Sequence, residues 1–156
     1  NARGITCLYV ASDVDTTLHE VRAGVFDFVC VGTFRLKKDI TVVDLRAIAE
    51  ISPFVDGLEY LDHAINKQYL EKLNTEMSKS LRRSDSTLDY VPTQYIVDFI
   101  KSIEHNDEQE YDGIEYNSTT NPGGYNLAIF NPDLFECVSV SVYDIEKLQY
   151  TSKRVL

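Results

Sequence analysis

The run GIEYNSTTNPGGYNLAIFNPDLFECVSVSVY, residues 113–143, decides the fold class. Gly113–Tyr116, Tyr125–Phe130 and Phe135–Tyr143 read as three strands rich in β-branched and aromatic residues. Asn121-Pro122-Gly123-Gly124 breaks the first from the second, because glycine takes the positive φ that a turn needs. Three strands in succession leave no room for crossover helices. Across the chain, strands and helices mix without a regular βαβ alternation, so the class is α+β, a mixed β-sheet core with flanking helices, rather than a doubly wound fold.

Working back from that run, residues 104–112 carry five acids among nine residues and read as a solvated connector. Pro92 suits the first turn of a helix that continues to Ile103. Leu58, Leu61, Ile65, Leu73 and Met77 recur at helical spacing and predict a long amphipathic helix, followed by the polar loop around Arg82 and Arg83. Phe26–Leu36 and Ile40–Leu45 read as strands that Lys37-Lys38-Asp39 joins into a hairpin. At the front, Ile5–Ala11 reads as a strand, Ser12-Asp13-Val14-Asp15 as a turn with capping residues, and Thr16–Ala23 as a helix.

The chain has 156 residues, 44% of them hydrophobic and 26% charged, the composition of one globular domain over residues 1–156. A chain of this size buries roughly 70% of the surface its unfolded form exposes, so its core needs no staples. Fifteen Lys and Arg against 25 Asp and Glu leave a formal net charge of −10, which repels nucleic acid. A small anion still binds where a few basic side chains converge, since charges are screened beyond about 8 Å. Three cysteines, Cys7, Cys30 and Cys137, lie in apolar runs and read as buried thiols of a reducing, cytoplasmic compartment. No apolar run approaches the roughly 20 residues that span a bilayer, so no membrane partner is expected. The opening Asn1-Ala2-Arg3-Gly4, without methionine, implies an upstream segment.

Searches for familiar chemistry eliminate more than they find. Gly123-Gly124 precedes a strand and not a helix, so no phosphate loop is read. His19, His63 and His105 have no partner at metal-ligand spacing, and no metal is expected. Four features remain. Tyr9 alternates against Leu8 and Val10 and faces either core or cleft. Glu20 stands at capping-box spacing from Thr17, which favours a structural role. Ser118 follows a strand end, as an ordinary turn serine or as a functional group. The pair Arg82-Arg83 is a solvated surface pair or an anion contact.

Several blocks carry a resemblance: residues 1–13 (NARGITCLYVASD), Thr16–Arg22 (TTLHEVR), Arg83–Tyr95 (RSDSTLDYVPTQY), and Tyr111–Ser118 (YDGIEYNS) running on to residues 123–127 (GGYNL). In this order they resemble the RES domain family. The resemblance implies an ADP-ribosyltransferase-like fold and an enzyme that consumes NAD by cleaving its nicotinamide–ribose bond, with water or inorganic phosphate as acceptor. NAD is then substrate, and no cofactor is implied. It also implies a toxin paired with an Xre-type antitoxin, with a homodimer left open. Two further readings stay beside it: a mono-ADP-ribosyltransferase acting on a protein, and a non-catalytic RES module in a larger protein.

By motif match the family's tyrosine, glutamate and serine fall on Tyr9, Glu20 and Ser118, while its arginine falls just upstream of Asn1. Glu20 would hold the ribose 2′-hydroxyl and stabilise the positive charge that grows on the sugar as nicotinamide leaves. Tyr9 would pack against nicotinamide or its ribose, and Ser118 would position the substrate by hydrogen bonding. Arg22 and Arg83 stand second to the upstream arginine as contacts for the pyrophosphate.

Overall fold

A computed structural model describes residues 6–47, 71–72, 91–105, 108–149 and 154. In chain order the elements are β1 (Leu8–Ala11), α1 (Val14–Glu20), β2 (Phe28–Leu36), β3 (Val42–Asp44), α2 (Val91–Lys101), β4 (Glu104–His105), β5 (Glu108–Gln109), β6 (Gly113–Asn117), β7 (Tyr125–Ile129), a 3-10 turn (Pro132–Leu134) and β8 (Phe135–Asp144). Among the described residues they form a four-stranded sheet in the order β1-β7-β6-β3, a two-stranded sheet β2-β8 and a small β4-β5 ladder. The α+β class and the mixed sheet read from residues 113–143 are what the chain adopts.

The β7 strand lies between β1 and β6, antiparallel to both, while β6 pairs with β3 in parallel. Ile114 and Ile129 are fully buried in this sheet. Helix α2 turns Val97 and Ile100 inward against Leu45 and Ile114, with Val43, Tyr116 and Phe130 packed around them. Its second residue is Pro92, where a missing N–H costs nothing. Arg46, just past β3, pairs with the buried Glu115 carboxylate and with Asp44, and its guanidinium lies 4.5 Å over the Tyr125 ring. That contact backs a ring at the start of β7.

The hairpin of β2 with β3 does not form. The two strands belong to different sheets: β2 pairs antiparallel with β8 over nine residue pairs, whereas β3 pairs with β6 over three. A nine-pair ladder satisfies far more backbone groups than a short hairpin would, so the distant partner wins. The lysine segment steers the exit, since Lys37 N–H donates to Leu134 O and Lys37 Nζ to Asp133 O, each at 2.9 Å. Asp112 then catches the chain, with its N–H on Thr41 O at 2.7 Å and its Oδ2 accepting from Thr41 N at 2.9 Å. A bulge opposite Thr33 and Phe34 skips Val138 in the β2-β8 register.

The burial expected of the cysteines does not hold. Cys30 and Cys137 are exposed and Cys7 is half-buried, all three as free thiols. The reason lies in the β2-β8 ribbon, whose outer side chains, Phe28, Val140 and Val142 among them, are largely open. An apolar run in a two-stranded sheet buries at most one face. The acidic connector contains the exposed β4-β5 ladder instead of being featureless. The amphipathic helix expected around Leu58–Met77 lies outside the described residues, apart from Glu71 and Lys72, which are helical.

Candidate active site

Helix α1 begins at Asp13, not at Thr17. The Asp13 carboxylate accepts from Thr16 N at 2.7 Å and Thr16 Oγ1 at 2.9 Å, with Ser12 Oγ donating to it at 2.5 Å. These bonds, the Ser12 hydroxyl foremost and then the Thr16 amide, hold the Asp13 carboxyl below the usual carboxylate range. Because the helix starts there, Thr17 is internal and Glu20 is the last helical residue. A capping box needs its glutamate in the first turn. The structural role expected for Glu20 is thus overturned, and its carboxylate is free to reach across the fold.

It reaches the loop after β6. Glu20 Oε1 accepts from Ser118 Oγ at 2.7 Å, Asn126 Nδ2 at 2.9 Å and Thr120 Oγ1 at 3.1 Å. Three donors on one oxygen leave Oε2 without a hydrogen bond among the described residues. The loop is built to present these groups. Ser118 Oγ accepts from the N–H groups of Thr120 at 3.3 Å and Asn121 at 3.1 Å, so its own proton is directed to Glu20. Gly123, at φ +93°, turns the chain back toward β7. Gly124 closes the loop, donating to Asn121 O at 3.0 Å and accepting from Ser118 N at 2.9 Å. Asn121 Nδ2 reaches Thr16 Oγ1 at 2.9 Å and so ties the loop to α1.

Glu20 stands at the edge of a cleft of about 680 Å3 whose walls come from both larger sheets: Tyr9, Tyr116, Tyr125 and Asn126 from one, Cys30 and Phe34 from the other. Pockets of this volume accept small molecules and cofactors. Tyr9 is 56% exposed, yet loss of water around its hydroxyl, with the neighbouring Cys7, pushes the phenol up to about 12. Tyr116 is raised as well, first by burial and then by Tyr9, Glu20 and Cys7. Both phenols are neutral hydrogen-bond donors at physiological pH.

The geometry therefore brings Tyr9 and Glu20 onto one cleft, with Ser118 buried directly behind the glutamate. Arg22 follows the helix at φ +53° and is not among the cleft-lining residues, although its neighbour Val21 is. Arg83 lies outside the described residues.

A family model for the RES domain matches residues 1–151. The chain belongs to the RES domain family. No curated protein and no solved structure matches it. In this RES domain, sequence reasoning missed Thr120, Asn121, Asn126 and Tyr116. One signal was present for Asn126: asparagine is depleted in strands, and this one stands between Tyr125 and Leu127 in a run that otherwise reads as apolar sheet. No pattern marked Thr120. Among the described residues, no group of three or more His, Cys, Asp or Glu is placed to hold a metal ion, and no helix is long and apolar enough to cross a membrane.

Proposed function

We propose that this RES domain consumes NAD, cleaving the bond between nicotinamide and ribose C1″ and passing ADP-ribose to water or inorganic phosphate. The observation that carries the reading is the Glu20 carboxylate, fixed through one oxygen by Ser118, Thr120 and Asn126 at the edge of a cleft that Tyr9 also lines. In such a reaction the C–N bond breaks heterolytically. Its electron pair leaves with neutral nicotinamide, and positive charge develops on the sugar. A carboxylate held beside that sugar stabilises the cation more than it stabilises the ground state, which is what lowers a barrier. Oε2 takes this position, accepting from the 2″-hydroxyl of that ribose. Acceptor water or phosphate then bonds to C1″ and gives up its proton to solvent.

Tyr9 and Tyr116 supply aromatic surface and neutral hydroxyls for the nicotinamide end. The pyrophosphate needs cations, for which Arg22, the neighbour of cleft-lining Val21, and Arg83, which the sequence resemblance brings in, are the candidates in this chain. Family membership supports the extension to a toxin restrained by an Xre-type antitoxin.

The test is chromatographic detection of nicotinamide release from NAD by the full chain, with and without phosphate. Glu20→Gln is expected to lower the rate by about 100-fold or more, as loss of one preorganised group does elsewhere, with the melting temperature little changed. NAD left intact by the unaltered chain in both buffers overturns the proposal. Label from NAD retained on protein would point to a protein acceptor instead.

A further inference from the structure

Of the three donors on Glu20, Asn126 alone lines the cleft and stands in the centre of the sheet. Its backbone pairs with Ala11 of β1 on one side and Tyr116 of β6 on the other. Its side chain is buried, with 5% of the residue exposed, and Nδ2 lies 2.9 Å from Glu20 Oε1. Ser118 and Thr120 belong to a loop. A strand flanked by two neighbours is the stiffer support, since its main-chain groups are held on both edges.

That difference matters because of where Glu20 sits. Helix α1 has seven residues and ends at Glu20. A helix so short has little stability of its own, so without these bonds its last side chain would swing toward solvent. The mutual bonding of Ser118 and Thr120 fixes the loop internally, but it relates Glu20 to the loop and not to the cleft wall. Asn126 supplies the missing reference. Its amide joins the glutamate to the same strand that carries Tyr125 and Leu127 into the cleft. Burial makes the bond costly to break, because a buried amide left unpaired loses the full cost of its desolvation.

We infer that Asn126 is a positioning residue: its Nδ2 donates to Glu20 Oε1, pins the carboxylate to the central strand, and so turns Oε2 toward the sugar of the bound dinucleotide. This rests on the NAD-cleaving reading for its kinetic consequence, but the bond itself can be tested without turnover. Asn126→Ala should lower kcat by about 10-fold to 100-fold, the range for losing a hydrogen bond to a charged group, while KM stays within about threefold.

Asn126→Asp provides the sharper test. It places a second carboxyl against Glu20, and two carboxylates in contact hold a shared proton to higher pH than either would alone. While that proton is present it restores a donor to Oε1. The variant should therefore regain activity as pH falls and lose it as pH rises, a limb absent from the unaltered chain, with thermal melting at each pH to exclude unfolding. Independently, the Asn126 side-chain amide resonances should shift in the nitrogen–proton spectrum of Glu20→Ala. Shifted resonances together with the acid limb support the inference. Unmoved resonances overturn it whatever the activity, and so does Asn126→Ala with unchanged kcat. Failure of the unaltered chain to cleave NAD, with shifted resonances, counts against the NAD reading alone and leaves the positioning bond standing.

Discussion

Gly124→Ala tests the seam between α1 and the Ser118 loop. A Cβ at position 124 would overlap Thr16 Oγ1 and lie 3.0 Å from Thr16 Cγ2 and 3.1 Å from its Cβ. Thr16 is fully buried and cannot simply turn away. Rotating its χ1 withdraws Oγ1 from Asp13 and Asn121, bonds of 2.9 Å each, and the loss of two such bonds costs about 2 kcal/mol. Keeping the rotamer instead pushes the helix from the loop, an overpacking that costs about 1–3 kcal/mol. Against either stands a gain of about 0.4–1 kcal/mol from the stiffer unfolded chain. Gly124 does not have the positive φ of Gly123, so the penalty is steric.

The net expectation is destabilisation by about 1–2 kcal/mol, or a melting temperature lower by about 2–8 °C for a domain of this length. Because the displaced helix carries Glu20 away from Ser118, nicotinamide release should fall further than the stability loss explains. Thr16→Ala combined with Gly124→Ala should destabilise by less than the sum of the two single changes, with a coupling of about 1 kcal/mol, since truncating Thr16 to a methyl vacates the space that the new Cβ needs. Urea melts of the four proteins measure this cycle. A Gly124→Ala chain as stable and as active as the unaltered one would refute the packing of α1 against the loop.

Two further outcomes concern titration. Asp13 has a carboxyl held below its usual value in the folded chain, so the stability it contributes is present above the unfolded carboxyl's pKa and is lost as pH falls through the folded one. The stability gap between the unaltered chain and Asp13→Ala should accordingly be full at pH 6 and begin to narrow only below about pH 4, the ordinary range of an aspartate. Tyr9, raised to about 12, has the opposite sign: its contribution is present below the unfolded phenol value near 10 and is lost as pH rises toward 12. Tyr9→Phe should remove one late-titrating phenolate from the ultraviolet titration, and loss of an early one instead would sink the account of its surroundings.

How far the amino-acid pattern reveals this molecule depends on whether the information is local. The strands of residues 113–143 were legible because Pro122, Gly123 and Gly124 break the chain where no strand can continue, and α2 because Pro92 fits one end of a helix only. The partner of β2 was not legible. A run such as FVCVGTFRL says that it will pair, not with what, and nearness along the chain favoured β3 over β8, whose pairing spans about a hundred residues. Glu20 was misread for a related reason. Thr17-x-x-Glu20 and Ser12-Asp13 both offer a helix start, and aspartate is the stronger N-cap. Weighing the two caps against each other would have placed Glu20 at the C-terminal end, where no capping box exists.

The donors on Glu20 were harder still, because they come together only through tertiary structure: Ser118, Thr120 and Asn126 are separated from Glu20 by about a hundred residues. Their arrangement also changes what Ser118 can do. Its oxygen already accepts two backbone N–H groups, and its proton belongs to Glu20. A hydroxyl so occupied, buried and absent from the cleft lining, is poorly placed to hydrogen-bond a molecule in the cleft. The sequence expectation is that Ser118 positions the substrate by hydrogen bonding, whereas its observed bond to Glu20 Oε1 favours action through the carboxylate on the proposed reading. On the proposed NAD cleavage, substrate contact would fall to Oε2 and to the two neutral phenols, while the bonds from Ser118, Thr120 and Asn126 to Oε1 would decide which way Oε2 faces.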